Sequence, residues 1–583
     1  MTSTKNPDKI KKLPALICLI AIITLIIDYG FGRIESSKAV MHAIYLLTLI
    51  SSTIAIIVRY FFQISHPRLK VIPFDLLFIA FFSIIILAFF DFHFEKFKSP
   101  YLLHIAVLIA CIREFSTVQI PVKTAKLNPA QVFVFSFLLI IVTGTLLLLL
   151  PNATHQGISL LDALFTSTSA VCVTGLVVVD TGTYFTRFGQ IILLILIQTG
   201  GLGIMTFSSY FSYFFRGGTS YQNQIQLSEI LNSKRISDVI NTLKYILFVT
   251  FAIELSGAAL VFINLEKTLI PEFSERVFFS IFHSVSAFCN AGFSTLQNSF
   301  FESGFAKNYS LHSIIAGLFI MGGIGFPILF NFLRYLRYTV VKWYAKLFKK
   351  RKDIYLPWII NINTRIVLVM TFFLILTGTL VFYILEYNNA LSGHTGPGKI
   401  VTAFFGAVTP RTAGFNSVDT ATLRYPTLLF IMLLMWIGAS PGSTGGGIKT
   451  STFAVAILNI IGLVSGRNRL EIWGREISGI SNKRAFGIVI LSLISIFISI
   501  FAIVLLDPRV NLLSISFECV SAFSTVGLSR GITASLSMGS KLVLILTMFI
   551  GRISTLTLFI ALFSKFGPSH LNYKYPSDDI LIN

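Results

Sequence analysis

Apolar windows of about 20 residues, the length a helix needs to cross a bilayer, recur from one end of this chain to the other. They fall at 14–29, 40–62, 72–90, 101–111, 132–150, 188–207, 243–265, 311–330, 366–385, 425–437, 485–506 and 542–563. In hydrocarbon a backbone must satisfy its own N–H and C=O groups, which leaves helices or a closed barrel. Runs of this length read as helices. Composition agrees, with 54% apolar residues, 12% charged ones and a mean hydropathy of +0.80, whereas soluble domains carry about twice that charge. The expectation is an all-α polytopic membrane protein with roughly twelve crossings.

A net charge of +21 raises nucleic acid as a partner, but the distribution of the charge argues for topology. Lys- and Arg-rich loops mark the cytoplasmic side of a membrane protein. Arg334, Arg337, Lys342, Lys346, Lys349, Lys350, Arg351, Lys352 and Arg365 stand together with Asp353 as the only acid. The stretch 467–484 and Lys5, Lys9, Lys11 and Lys12 are also basic. These segments fall at alternate connections, so both termini are expected in the cytoplasm, in the cytoplasmic (inner) membrane, with no nucleic-acid partner. The first apolar run follows lysines as a signal peptide's does, but no small-x-small cleavage site comes after it, so it reads as an uncleaved helix. Cys18, Cys111, Cys172, Cys289 and Cys519 show no CxxC spacing and point to neither a disulfide framework nor zinc.

The informative feature is a repeat. "SAVCVTGL" starts at Ser169, "SAFCNAGF" at Ser286 and "SAFSTVGL" at Ser521, with a weaker copy, "VTPRTAGF", at Val408. Their glycines are Gly175, Gly292, Gly414 and Gly527. Each has an apolar span before it, a short amphipathic segment leading into it and a span after it. The unit reads as helix, short re-entrant helix, extended loop, helix. Ordinary turns between helix hairpins would explain one such glycine; four in order argue against that. Non-helical backbone at membrane depth must be buried in protein or line a water-filled cavity. Four such loops from one chain can meet on a pseudo-fourfold axis, where their carbonyls replace a cation's water shell. Glycine admits the backbone angles that turn a carbonyl inward, and the short helix aims the negative end of its dipole at the same place.

"DALFTSTSAVCVTGLVVVDTG" from Asp162, "FHSVSAFCNAGFSTL" from Phe282, "TPRTAGFN" from Thr409 and "FECVSAFSTVGLSRGIT" from Phe517 resemble the four filter segments of the bacterial TrkH/KtrB potassium-uptake subunits. The resemblance covers roughly residue 127 to the C-terminus. It implies four helix–pore-loop–helix repeats around a pseudo-fourfold pore, with K⁺ as the transported ion and no organic cofactor. The ion-coordinating candidates are then Val173, Thr174 and Gly175; Asn290, Ala291 and Gly292; Thr412, Ala413 and Gly414; and Thr525, Val526 and Gly527. Glycine at the first position, Gly175, favours K⁺ over Na⁺ by the same resemblance. It further implies a homodimer resting on a cytoplasmic nucleotide-binding regulatory ring of the RCK type. The repeats are drawn at 127–216, 217–340, 341–466 and 467–583, after an N-terminal extension, 1–126.

The second span of repeat three breaks at "GASPGSTGGGIKTS", where Gly438, Gly442, Gly445, Gly446, Gly447 and Pro441 cannot continue a helix. By the argument used for the filter, this segment also is buried or lines the pore, on its cytoplasmic side, and the resemblance implies an intramembrane gating loop there. "GSTGGGIKT" nearly matches a P-loop, but Ile448 intrudes before Lys449 and no strand precedes it. A charge at mid-bilayer costs ~2.5–3.5 kcal/mol and calls for a partner or a role. Three stand out: Glu254, Lys449 and Arg552. Arg552 reads either as half of a buried ion pair or as a cation below the filter that holds the gating loop by its carbonyls. Lys449 ranks second for that role, and Glu254 reads as a helix-pairing residue. His283 reads as packing against the filter rather than as a metal ligand.

The extension carries about four spans, sparse cations (Arg59, Arg68, Lys70, Arg113) and the acids Asp75 and Asp91. A voltage sensor needs arginines at three-residue spacing, which 101–115 lacks, so a packing or docking module is expected. A gated potassium-uptake pore is the leading function. A sodium or mixed-cation transporter of the same fold is the alternative; a polytopic membrane enzyme is a distant third, with no catalytic constellation in sight. Shortening the 438–451 segment is expected to raise cation flux in reconstituted vesicles, and unchanged flux would remove the segment from the gate.

Overall fold

The computed structural model describes residues 7–32, 38–61, 72–90, 99–115, 129–203, 239–347, 360–466, 469–553 and 558. Its helices in chain order are α1 (Pro7–Gly30), α2 (Lys38–Phe61), α3 (Ile72–Phe89), α4 (Pro100–Phe115), α5 (Pro129–Leu148), α6 (Leu160–Val171), α7 (Arg187–Gly201), α8 (Val239–Asn264) and α9 (Phe273–Phe288). They continue with α10 (Tyr309–Ile324), α11 (Phe326–Leu347), α12 (Ile362–Glu386), α13 (Gly396–Val408), α14 (Tyr425–Trp436), α15 (Thr450–Val464), α16 (Gly479–Leu506), α17 (Leu512–Ser524) and α18 (Met538–Ile553). The only described strands are a two-residue hairpin pairing Glu471–Ile472 with Arg475–Glu476. Six helices are long and apolar enough to cross a bilayer, and a seventh if α10 and α11 count as one bent span.

Each repeat is a helix, a short helix, an extended segment and a second helix: α5–α6–α7, α8–α9–α10, α12–α13–α14 and α16–α17–α18. Helix starts carry side-chain caps: Ser159 Oγ accepts from Asp162 N at 3.1 Å, and Asn308 Oδ1 accepts from Leu311 N at 3.0 Å. The second helix of each repeat packs on the short helix of the next, α7 on α9, α10 on α13, α14 on α17, and α18 back on α6. That last contact closes the circle. An ion pair occupies the same place in it twice, Arg187–Glu275 at 2.6 Å and Lys541–Asp162 at 3.0 Å.

Close approach inside each repeat rests on glycine. A Cβ at Gly200, Gly322 or Gly551, near the end of α7, α10 or α18, would overlap the carbonyl of Val171, Phe288 or Phe523 at the end of the short helix. On the opposite side, a Cβ at Gly144 of α5 or Gly257 of α8 would lie 2.5 Å from the hydroxyl of Ser167 or Ser284. Those hydroxyls donate to Ile141 O at 2.8 Å and Glu254 O at 2.6 Å.

Two expectations are corrected. The 311–330 run is not one straight span: α10 stops at Ile324, Gly325 takes φ +91°, and α11 departs at 103°. The backbone groups that the break frees are bonded elsewhere, as described below. Arg334, Arg337 and Lys342 lie on α11 rather than in a loop, exposed along a helix with Phe332, Tyr335 and Trp343. The repeat boundary at 340 therefore cuts a helix, and those at 126 and 216 lie outside the described residues. The rest of the basic segment around 348–359 and the C-terminal tail also lie outside them.

α1–α4 pack on one another around an apolar core that includes Leu49, Ile56, Phe82, Ile85 and Leu103, with polar pairs set into it. Arg113 of α4 holds Asp75 of α3 through two bonds of 2.7 and 2.8 Å, and Tyr60 donates to the same carboxylate at 2.7 Å. Arg59 of α2 pairs with Glu114, an acid the charge reading above leaves out. Both arginines are thus spent on partners within the bundle, as buried intramembrane charges generally are. Tyr29, whose hydroxyl meets His104 Nδ1 at 2.8 Å, also stacks on Phe188 of repeat one.

Gly322→Ala is expected to lower the thermal midpoint of the detergent-solubilised protein by several degrees, since overpacking costs about 1–3 kcal/mol. Gly317→Ala, one turn away with open space around it, is the control. Equal midpoints, read by size-exclusion after heating, would show that the helix contact is loose.

Candidate functional site

The short helices end at Val171, Phe288, Val408 and Ser524, immediately before the four glycines. The chain then takes the same path in every repeat. The residue two before each glycine is left-handed (Val173 φ 56°, Asn290 60°, Thr412 82°, Thr525 50°) and so is the glycine (Gly175 90°, Gly292 69°, Gly414 77°, Gly527 88°). Side chains resist this region, at roughly 1–2 kcal/mol for a residue with a Cβ, and a β-branched valine resists it most. Surrounding bonds have to hold such a backbone in place. The run of valines in "SAVCVTGLVVV" forms no strand, because these residues find no neighbouring strand to pair with.

A hydroxyl behind each loop supplies part of the hold. Ser169 Oγ accepts from Gly175 N and Ser521 Oγ from Gly527 N, both at 3.1 Å. Ser286 Oγ donates to Phe293 O, and Thr409 Oγ1 to Phe415 O, each at 2.7 Å. In the third loop the hydroxyl sits one residue closer to the glycine, which is why that copy looks weaker in the sequence. These four residues were missed as site residues, although the recurring "SAxC/S" pattern carries the signal. Glu518 was missed as well: buried in α17, it accepts from Ser529 Oγ at 2.6 Å, Arg530 N at 3.0 Å and Thr533 Oγ1 at 3.0 Å, fixing the outgoing limb of loop four. His283 bonds Phe279 O and Ser294 Oγ, both at 2.9 Å, among Phe279, Phe300 and Phe415.

The loops meet in a closed cycle. A Cβ at Gly175 would overlap Ala291 O of loop two, and one at Gly292 would come within 2.9 Å of Ala413 O of loop three. One at Gly414 would overlap Val526 O of loop four, and one at Gly527 would overlap Thr174 O of loop one. Each glycine thus faces the carbonyl that precedes the glycine of the next loop. A side chain at any of the four places is strained by its conformation and crowded by the neighbouring loop's backbone. Of the twelve candidate residues, Val173 to Gly175, Asn290 to Gly292, Thr412 to Gly414 and Thr525 to Gly527, all are buried there except Gly292, which is half-buried.

The interrupted segment between α14 and α15 is folded back against this ring. Ile437 pairs with Ile448 at its neck, and Gly438 packs on Gly446 O. Its backbone completes the break between α10 and α11: Phe326 N donates to Gly442 O at 3.1 Å and Ser440 N to Gly323 O at 3.0 Å. Groups orphaned by a helix end are thereby satisfied from a different repeat. Gly442 and Gly447 are left-handed, with φ of 71° and 67°. Lys449 Nζ donates to Gly445 O at 2.5 Å. Arg552 reaches from α18 to the carbonyls of Thr444 and Gly200; of its two readings, these are contacts of the carbonyl-holding kind. Glu254 accepts from Gln198 Nε2 at 3.1 Å and faces Cys289 Sγ at 3.8 Å.

The family described as TrkH, cation transport protein, matches residues 98–575. The chain is 37% identical over 463 residues to Ktr system potassium uptake protein B of Bacillus subtilis (strain 168), covering 79% of this chain and 98% of that protein. It is 36% identical over 465 residues to potassium/sodium uptake protein NtpJ of Enterococcus hirae, covering 78% and 98%. Its fold resembles the crystal structure of the potassium transporter TrkH from Vibrio parahaemolyticus, with a TM-score of 0.59 and 18% identity over 84% of this chain and 96% of that one. Residues 1–97 precede the family match. The chain is a multi-pass membrane protein, and it belongs to the TrkH family of cation transport proteins.

Proposed function

We propose that this chain is the ion-conducting subunit of a gated potassium-uptake system. The observation that carries the reading is the closed cycle in which four left-handed glycines face four backbone carbonyls. Carbonyl oxygens held by a surrounding shell of hydroxyl bonds can replace the water around a dehydrated cation. The filter is then formed by Val173, Thr174, Gly175, Asn290, Ala291, Gly292, Thr412, Ala413, Gly414, Thr525, Val526 and Gly527. The C-terminal ends of α6, α9, α13 and α17 all stop at this ring and favour positive charge there. The folded segment that carries Gly438, Gly442, Gly445, Gly446 and Gly447 acts as the gate, held by Lys449 and Arg552 through its carbonyls.

Basic segments on one side of the membrane support an orientation with both termini in the cytoplasm, in the cytoplasmic membrane. The exposed Arg334, Arg337 and Lys342 on α11 offer a surface for a cytoplasmic nucleotide-binding ring, beneath a homodimer of this subunit. A second reading, transport of Na⁺ beside K⁺, is favoured by the similarity to the potassium/sodium uptake protein of Enterococcus hirae.

Flux of K⁺, Rb⁺ and Na⁺ into vesicles carrying the purified protein separates the two. Faster K⁺ than Na⁺ entry is expected, and equal rates would overturn the potassium assignment. Gly175→Ser places a side chain at φ +90° against Ala291 O and is expected to cut K⁺-over-Na⁺ discrimination by about tenfold, or ~1.4 kcal/mol. Unchanged discrimination would remove Gly175 from the filter.

A further inference from the structure

The left-handed residues ahead of the glycines differ in chemistry: valine in loop one, asparagine in loop two and threonine in loops three and four. Their backbones are alike, so the filter alone gives no reason for the difference. Their side chains supply one. Thr525 Oγ1 accepts from Gly446 N, inside the gate segment, at 2.9 Å. Thr412 Oγ1 lies so near Gly445 that a Cβ on that residue would overlap it. The Asn290 amide stands between Thr412 Oγ1 at 3.0 Å and Thr444 Oγ1 at 3.3 Å. Turning the amide over preserves both links and adds Phe319 O at 3.1 Å. Thr444 Oγ1 also donates to Phe288 O at 3.3 Å.

In the remaining quarter, Val173 offers no hydrogen bond, and its Cγ2 packs on Gly200. This is where Arg552 spans from Thr444 O to Gly200 O. Asn290 and Thr525 therefore hold the segment by hydrogen bonds, Thr412 packs against Gly445 and supports Asn290, and the fourth quarter holds it with an arginine. Asn290, Thr412, Thr444 and Thr525 are at most 1% exposed. No water competes for these bonds while they stand, and an unpaired group left behind is costly to strand.

We propose that Asn290, Thr412 and Thr525 are positioning residues that latch the gate segment directly to the filter. The proposal deepens the reading of a filter and gate given above and rests on it. Opening the gate requires these bonds to break, and the same residues set the left-handed turn of the filter loops. Release of the gate and the conformation of the filter are thereby linked through three side chains. The sparing of loop one follows as well: its latch is Arg552, so the apolar Val173 costs nothing there.

The test uses the full-length protein in vesicles, with hydrogen exchange at the Gly446 amide as a readout independent of transport. Thr525→Val keeps the shape and removes the acceptor. Losing one net hydrogen bond shifts a two-state balance by about five- to tenfold, so Gly446 exchange and K⁺ flux are both expected to rise by that order. Thr525→Ser keeps the hydroxyl and is expected to reverse most of the rise, and Thr525→Val combined with Arg552→Gln should exceed either alone.

Unchanged Gly446 exchange in a folded, monodisperse Thr525→Val protein would overturn the latch. So would faster exchange that Thr525→Ser fails to reverse, since the hydroxyl would then be irrelevant. If Gly446 exchange rises as expected while even the wild-type protein carries no cation, the latch stands and the transport reading falls.

Discussion

Every non-helical stretch of backbone at membrane depth carries N–H and C=O groups that lipid cannot satisfy. In this chain that constraint is met by making the irregular stretches satisfy one another. The break at Gly325 donates Phe326 N to Gly442 O and receives Ser440 N at Gly323 O. The segment between α14 and α15 in turn rests its amides and carbonyls on Thr525, Lys449 and Arg552. None of these pieces could occupy hydrocarbon alone. Their mutual dependence places the start of α11 against Pro441 to Ser443.

The ring itself is a packing solution. Glycines at 200, 322 and 551 let the second helix of a repeat rest on the last carbonyls of its short helix. The short helix is thereby fixed close to the axis, and the loop that follows has space for only one path. Two left-handed residues per loop are unfavourable in isolation, and hydroxyls at Ser169, Ser286, Thr409 and Ser521 offset that cost from behind. The helix packing thereby fixes where the loop carbonyls stand.

The repeats, the four glycines, the broken helix near Gly438 and the arginine at 552 were legible because each violates what a plain membrane span would contain. Glycines, a proline or a charge inside an apolar run are conspicuous. Ser169, Ser286, Thr409, Ser521 and Glu518 were not, since hydroxyls are unremarkable at the end of a helix and Glu518 sits in a short amphipathic one. The break at Gly325 was passed over although three glycines and Pro327 stand there. "MGGIGFPI" stays apolar throughout, so hydropathy passes over a turn of 103°. In the N-terminal bundle, Glu114 as the partner of Arg59 emerged only from the packing of α2 on α4.

By itself the sequence determined that this chain lives in a membrane, that it repeats one unit four times, and where each unit must leave the helix. Those properties are local: apolar length, glycine placement and the intolerance of hydrocarbon for bare backbone can be judged one window at a time. Only the tertiary structure decided that Gly175 faces Ala291 O, that Gly527 returns to Thr174 O to close the cycle, and that Arg552 reaches both Gly200 and Thr444. Those pairs lie more than 100 residues apart. They are set by how helices from different repeats settle against one another, which no single window of sequence contains.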